Sequence, residues 1–248
     1  MFRKQARTTQ PRAVVGANSY WRERGMTSLY DLSRGIWQID QVNGFNQGES
    51  LGVGADFLAE GRLTTVGTAG NGVRLRHGIP LNITPPISIV IGCRFISGSV
   101  PWSLLRASTT WFGWYGGAGN GEVGSAENNV FDGAVGVGGN GNIAFTSSAN
   151  SLRCAGASSW AVDSAYTPPT LVDTAYVTLG FSARDINDNP ASASFSHFAA
   201  FNCQLTDQEL QSLAANPWQL FASTERRIWI PQAAVAAGND ALMGQICL

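Results

Sequence analysis

The sequence predicts an all-β fold, a sandwich of antiparallel sheets. Three observations predict it. Short runs of alternating apolar and polar residues recur along most of the chain. Asn71-Gly72, Asn120-Gly121, Asp132-Gly133 and Asn140-Gly141 punctuate them, and such dipeptides suit tight hairpin turns. A complete helix signal occurs once, close to the C-terminus. Strands this closely spaced, with no helices alternating between them, argue against a parallel α/β sheet.

Taken in order, residues 1–20 are polar, basic and interrupted by Pro11 and Gly16, and read as an extended arm. A globular pattern begins near Trp21 and is expected to run to 231, leaving 232–248 as a C-terminal tail. The first short strand candidate is GVRLRHG at 72–78. The clearest strand is ISIVIGCRFIS at 87–97, in which Ile87, Ile89, Ile91, Cys93 and Phe95 share a core-facing parity and Ser88, Gly92 and Arg94 the other. Pro85 and Pro86 block pairing just before it. TTWFGWYGG (109–117), GAVGVGG (133–139), NIAFTSS (142–148) and AYVTLGFSA (175–183) follow. In ASFSHFAAFNCQL (193–205), strict alternation places Phe195, Ala199, Phe201, Cys203 and Leu205 on one face. ERRIWIP (225–231) is the last candidate.

The helix signal is LTDQELQSLAANP, 205–217. Thr206 is the natural N-cap and Glu209 completes a capping box with it. Leu205 and Leu210 flank the cap as a hydrophobic staple. Asp207 and Glu209 suit the positive end of the helix dipole. Leu210, Leu213 and Ala214 form an apolar stripe, and Pro217 ends the helix by disfavouring α geometry at Asn216.

Composition excludes several classes. The chain has 248 residues, 44% apolar and 13% charged, with 8 Trp and 12 Phe, which is too apolar and aromatic for a disordered protein. A net charge of −1 gives no case for nucleic acid as main partner. No run approaches the roughly 18 apolar residues of a membrane span. The basic N-terminus lacks the apolar segment of a signal peptide, so the chain is expected to be made in the cytoplasm and to stay there or leave by a route other than secretion. Cys93, Cys154, Cys203 and Cys247 are widely spaced, contain no C-x-x-C, and are expected to be free thiols, with Cys93 and Cys203 buried.

The segment AAFNCQLTDQELQSLAANPWQLFASTERRIWIP resembles the C-terminal signature of laminin-G-like, concanavalin-type jelly-roll domains. Phe201, Asn202, Leu205, Thr206, Asp207, Glu209, Leu210 and Leu213 carry the likeness, and NPWQLF followed by RRIW resembles the form found in phage and prophage proteins. The resemblance implies a jelly-roll sandwich with one short capping helix, about 206–216, that covers an open end of the sandwich before the chain returns as a final strand. It makes Thr206 and Glu209 the structural helix cap, and makes Asp207 and Glu209 caps and not catalytic acids.

Candidate chemistry is sparse. Glycoside hydrolases need paired carboxylates facing one cleft, and no E-x-D-x-E pattern is present. Glu122, Glu127 and Asp132 lie in a glycine-rich acidic region without bases and are the weak candidates for Ca²⁺; no other cofactor is suggested. Ser196 and His197, adjacent in a strand, are expected on opposite faces, and no G-x-S-x-G elbow occurs. WFGWYGG offers Trp111, Trp114 and Tyr115 as glycan-stacking candidates, with Trp111 and Tyr115 on one face and Phe112 and Trp114 on the other.

The resulting expectation is a non-enzymatic bacteriophage virion protein: a fibre, spike or other tail-associated appendage that reads host-surface glycan. The arm residues Arg3, Lys4, Arg7 and Arg12 would dock it on other virion proteins, and the apolar tail and RRIWIP segment would support a homotrimer. A head decoration or head-fibre protein without a ligand site, and a glycan-degrading enzyme with an unrecognised site, are the alternatives.

Overall fold

The computed structural model describes residues 16–34, 37–52, 55–57, 62–80, 86–98, 101–107, 110–115, 122–127, 130–136, 140–156, 160–164, 166, 175–181 and 190–222, without the side chains at 55–57, 104–107, 110–112, 114–115, 122–127, 130–136 and 140. The arm residues Arg3, Lys4, Arg7 and Arg12, the ERRIWIP segment, Cys247 and the tail lie outside the described residues.

A short helix, α1 (Ser19–Glu23), precedes fifteen strands: β1 (Met26–Asp31), β2 (Gly48–Leu51), β3 (Ala55–Phe57), β4 (Leu63–Thr65), β5 (Gly72–Arg76), β6 (Ile87–Gly98), β7 (Trp102–Ala107), β8 (Thr110–Tyr115), β9 (Glu122–Glu127), β10 (Val130–Gly136), β11 (Asn140–Ser148), β12 (Ser151–Gly156), β13 (Trp160–Asp163), β14 (Tyr176–Leu179) and β15 (Ala191–Phe201). Helix α2 (Asp207–Ala215) and a 3-10 turn (Pro217–Leu220) follow. An eight-stranded sheet runs β13-β12-β11-β6-β15-β4-β3, with β1 also on β15; a seven-stranded sheet runs β10-β9-β8-β7-β14-β5-β2. Every pairing is antiparallel. The fold is a jelly-roll sandwich.

Large side chains fill the space between the sheets. Ile87, Ile89, Ile91 and Cys93 of β6 meet Phe145, Phe195 and Phe198 of the same sheet and Val73, Leu75, Trp102, Val177 and Leu179 of the other. Trp102 stacks on Phe145 at 5.5 Å between centroids, bridging the sheets. The inward parity of β6 is the one its alternation predicts. Its other face is also buried: Val90 joins the cluster under α2, Ser88 lies under the turn at Cys203–Leu205, and Gly92 lies against Ser196 and His197.

That placement corrects the expected role of the helix. Leu210, Leu213 and Ala214 pack on Val90, Ala144, Ala155, Ala199 and Phe201, so α2 covers the outer face of the eight-stranded sheet and not an open end between the sheets. The small residues Ala144, Ala155 and Ala199 let the helix backbone approach. The turn into the helix is fixed by Ser88, whose hydroxyl donates to the Cys203 carbonyl (2.7 Å) and accepts from the Leu205 amide (3.1 Å). Asn142 donates to the Ala214 carbonyl at the far end (3.2 Å).

The face expected for β15 is also corrected. Phe195 and Phe198 face the inter-sheet core, whereas Ala199 and Phe201 face the helix. The register skips Ser196: Phe195 pairs with Cys93 and His197 with Gly92. A bulge shifts the alternation by one residue at this point. It falls where the neighbour of β15 on its other edge changes from β4 to β1.

The first described residues are built into the body. Ala17 bridges antiparallel to Phe221, with Asn18 N donating to Leu220 O (2.8 Å) and Ala222 N to Gly16 O (2.7 Å). Asn18 caps α1 by accepting from Tyr20 N (2.9 Å), and Trp21 enters the outer cluster. The outermost described residues, Gly16 and Ala222, therefore lie side by side.

Candidate functional site

The capping box forms as its residues dictate. Thr206 Oγ1 accepts from Glu209 N (3.2 Å), and Glu209 Oε2 accepts from Thr206 N (2.8 Å). Glu209 also takes both prongs of Arg24, at 2.7 Å and 2.9 Å, and the Tyr20 hydroxyl at 3.1 Å. The Arg24 hydrogen bonds hold its carboxyl far down, at about 2. This fastens α1 to α2 and leaves Glu209 no free acid function.

Asp207 turns the other way. Its carboxylate accepts from Arg153 Nη1 of β12 at 2.5 Å. These two residues, with Gln204, Leu205, Thr206 and Gln208, line an open hollow of about 450 Å³ on the outer face of the eight-stranded sheet. Pairing extends the same surface sideways. Arg153 faces Val162 across the β12–β13 ladder, and Ala155 faces Trp160. Directly paired residues share a face, and Ala155 lies under α2, so Trp160 and Val162 stand on the outer face as well. They are 38% and 49% exposed, whereas Ala161 between them packs on the core. Trp160 stands diagonally from Arg153, about 7–8 Å away between Cα atoms. Trp160 and Val162 do not line the hollow itself, but they stand on the same face one strand beyond Arg153, and we call the surface between them and α2 the trough.

None of these trough residues was singled out in the sequence for binding. The available signal was WAVD itself, which alternates exposed and inward residues over a short strand.

Trp111, Trp114 and Tyr115 all lie on β8, in the middle of the seven-stranded sheet, and their side chains lie outside the described residues. By register, positions 111 and 115 share the parity of Gly113, which pairs with Ser103, and position 114 has the parity of residue 112, which pairs with 104. The acidic candidates for Ca²⁺ are spread apart. Glu122 and Glu127 open and close β9, roughly 16 Å apart at 3.3 Å per residue, too far to share an ion. Asp132 sits at the register shift of β10, between Phe131 and Gly133. What reads as an acidic loop region is two paired strands.

Ser196 and His197 are brought together, contrary to the strand rule, because the bulge turns both outward. Ser196 Oγ lies 3.0 Å from His197 Nδ1. Gly92 opposite is required by contact: a Cβ there would lie 2.1 Å from Ser196 Oγ and 2.6 Å from His197 Cε1. The His197 ring is fully buried beneath the half-exposed Trp218, at 5.8 Å, and its Nε2 has no partner among the described residues. Burial, helped by the charge of Arg62, depresses its pKa to about 3. With Ser196 nearly and His197 wholly closed to solvent, the pair has no substrate access.

Cys93 and Cys154 are free and buried, and burial raises both thiols, Cys93 to about 12. Cys203 is free but only half-buried, beyond the end of β15, where it donates to the Arg24 carbonyl. Among the described residues no cluster of three His, Cys, Asp or Glu could hold a metal, and no helix is long and apolar enough to cross a membrane.

No protein-family model and no curated protein sequence matches the chain. Solved structures do. Domain 4 of the extracellular arabinanase AbnA of Geobacillus stearothermophilus, in complex with arabinotriose, is 14% identical, with a TM-score of 0.57 over 77% of this chain and 98% of that one. The binding domain of Paraclostridial Mosquitocidal Protein 1 is 8% identical, with a TM-score of 0.56 over 77% of this chain and 52% of that one. The botulinum neurotoxin serotype D ligand binding domain, in complex with N-acetylneuraminic acid, is 9% identical, with a TM-score of 0.55 over 77% and 50%. The chain shares their β-sandwich fold. It thus spans nearly all of the arabinanase domain and about half of each toxin domain.

Proposed function

We propose that the chain is a non-catalytic glycan-binding module and that the trough between α2 and β13 is its binding site. The observation that carries this reading is the pairing of an exposed tryptophan on β13 with a polar hollow: Trp160 offers an apolar face for the C–H side of a sugar ring, while Gln204, Thr206, Asp207 and Gln208 offer groups that meet its hydroxyls. Two of the structural relatives were solved with a sugar bound, arabinotriose and N-acetylneuraminic acid, which supports a carbohydrate as ligand. The two toxin domains are described as binding domains, which supports a role without chemistry.

The setting in this proposal is a bacteriophage particle, in a tail-associated appendage built as a homotrimer. It rests on the likeness of the C-terminal segment to phage and prophage proteins. The arm bearing Arg3, Lys4, Arg7 and Arg12 attaches the module to an acidic surface of another virion protein. Removing residues 2–14 then leaves the sandwich folded and prevents incorporation into particles; truncated protein present on particles at normal copy number would overturn the anchoring role.

The binding test is a glycan array with the purified chain, followed by titration of the best ligand into Trp160→Ala and Trp111→Ala. Loss of at least tenfold in affinity in Trp160→Ala alone supports the trough. Loss in Trp111→Ala alone moves the site to β8. Absence of binding to any glycan overturns the reading.

A further inference from the structure

Resting on the glycan reading of the trough, we infer that the trough selects uncharged sugars and discriminates against acidic ones. Its charges are already matched. Arg153 is held by Asp207 at 2.5 Å, and the neighbouring Arg24 is held by Glu209 at 2.7 Å. The remaining polar lining, Gln204, Thr206 and Gln208, is neutral. β13 adds Asp163 and no base.

A carboxylate-bearing sugar needs a free cation or a helix terminus not yet matched by acid, and both are already countered. Bidentate capture of a carboxylate by arginine uses two adjacent N–H groups. On Arg153, Nε is sealed from solvent, which closes the side-on Nε–Nη2 fork, and Nη1 is bound to Asp207, which occupies one arm of the end-on fork. The positive end of α2 already faces two carboxylates in its first turn, Asp207 and Glu209, and two of its terminal amides, Thr206 N and Glu209 N, are engaged within the capping box. A third carboxylate would meet Asp207 at the mouth of the hollow, where like charges repel.

A neutral sugar meets none of these obstacles. Gln204 and Gln208 each carry a donor and an acceptor, which is what a hydroxyl requires. Asp207 retains acceptor capacity beyond its bond to Arg153. Trp160 and Val162 supply the apolar side. Discrimination therefore comes from the closed Arg153–Asp207 pair, and opening that pair should reverse it.

The experiment titrates lactose and arabinotriose against sialyllactose and trigalacturonic acid by calorimetry, with the full chain at low and high salt. The expected result is binding of a neutral sugar with little salt dependence, at least tenfold tighter than its acidic counterpart, and a loss of at least tenfold in Trp160→Ala. Asp207→Asn removes the negative charge that matches Arg153 while keeping the Thr206–Glu209 cap; it should gain at least tenfold for the acidic sugars, in a salt-sensitive manner. Circular dichroism and thermal melting check that this variant stays folded. Tighter binding of sialyllactose than of lactose by the parent chain would overturn the selectivity and leave the glycan reading standing. Neutral-sugar binding untouched by Trp160→Ala would overturn the assignment to this trough. Failure of all four sugars and of a full array would overturn the glycan reading itself.

Discussion

The central strands of the eight-stranded sheet are buried on both faces, but against different partners. The inner face meets the second sheet through Ile89, Ile91, Phe145, Phe195 and Phe198. The outer face meets α2 through Val90, Ala144, Ala155 and Ala199. Two sheets about 10 Å apart need long side chains to fill the gap, whereas a helix lying directly on a sheet needs short ones beneath it. The difference also sorts the polar residues. Ser88, Thr146, Ser196 and His197 are all buried on the outer side, where the turn at Cys203–Leu205 and the bulge give Ser88 and Ser196 partners. The inner face holds the sandwich together, and the outer face shapes the trough.

The largest effect should come from the inner face. Phe145→Ala removes the ring that stacks on Trp102 and opens a cavity between the sheets. A loss of about 3–5 kcal/mol is expected in urea unfolding. A much smaller loss would mean that the two sheets are not joined through this contact.

The next effect is a pH dependence set by the outer face. His197 has a folded pKa of about 3, depressed chiefly by burial, against about 6.5 when unfolded. The unfolded chain therefore binds the proton more readily between these values. Stability from this group is complete above pH 6.5 and falls as pH drops toward 3, by about 1.4 kcal/mol per pH unit. His197→Phe keeps the ring and removes the titration. The difference in stability between the two proteins should shrink or reverse from pH 6.5 to 5, a range above the window in which Glu209 titrates. A difference that does not change with pH would show that the imidazole is not shielded.

The outer cover can be tested directly by overpacking. Ala155→Leu places a large side chain under α2 and should cost about 1–3 kcal/mol, with loss of helix signal in the far-ultraviolet and weakened sugar binding at the trough. If it cost as much as Phe145→Ala and unfolded the whole chain, the helix and the sandwich would be one cooperative unit and the contrast between the faces would fail.

How much of this was legible depends on range. The parity of ISIVIGC and the box Thr206–Glu209 are local, and alternation and cap chemistry sufficed to place them. Strands such as β1, β4 and β12 were invisible because they are short and polar or punctuated, and tertiary pairing decides them. The bulge at Ser196 coincides with the place where β4 ends and β1 begins on the far edge, a feature of tertiary pairing that local alternation does not carry, and it reverses the face assignments after it. The trough was missed for the same reason. Arg153, Trp160 and Asp207 are distant in sequence, and nothing local says that β12 pairs with β13 or that α2 lies across them.

The smallest effects lie in the cap, and they distinguish a helix held by its own end from one held by α1. Thr206→Ala removes the acceptor for Glu209 N and should cost about 1 kcal/mol. Arg24→Ala removes the two-pronged bond to Glu209, but Arg24 is about a third exposed, and a solvent-screened pair of this kind contributes about 0.2–1 kcal/mol. The two changes share Glu209, which accepts from Thr206 N and from Arg24 through its two oxygens. Losing Arg24 frees the carboxylate to swing, so the Thr206 N–Glu209 half of the box weakens as well. The double variant should therefore lose measurably less than the sum of the single losses in a thermal double-mutant cycle. Strict additivity would mean that Glu209 keeps its place without Arg24, and that the helix end depends on its own capping box alone.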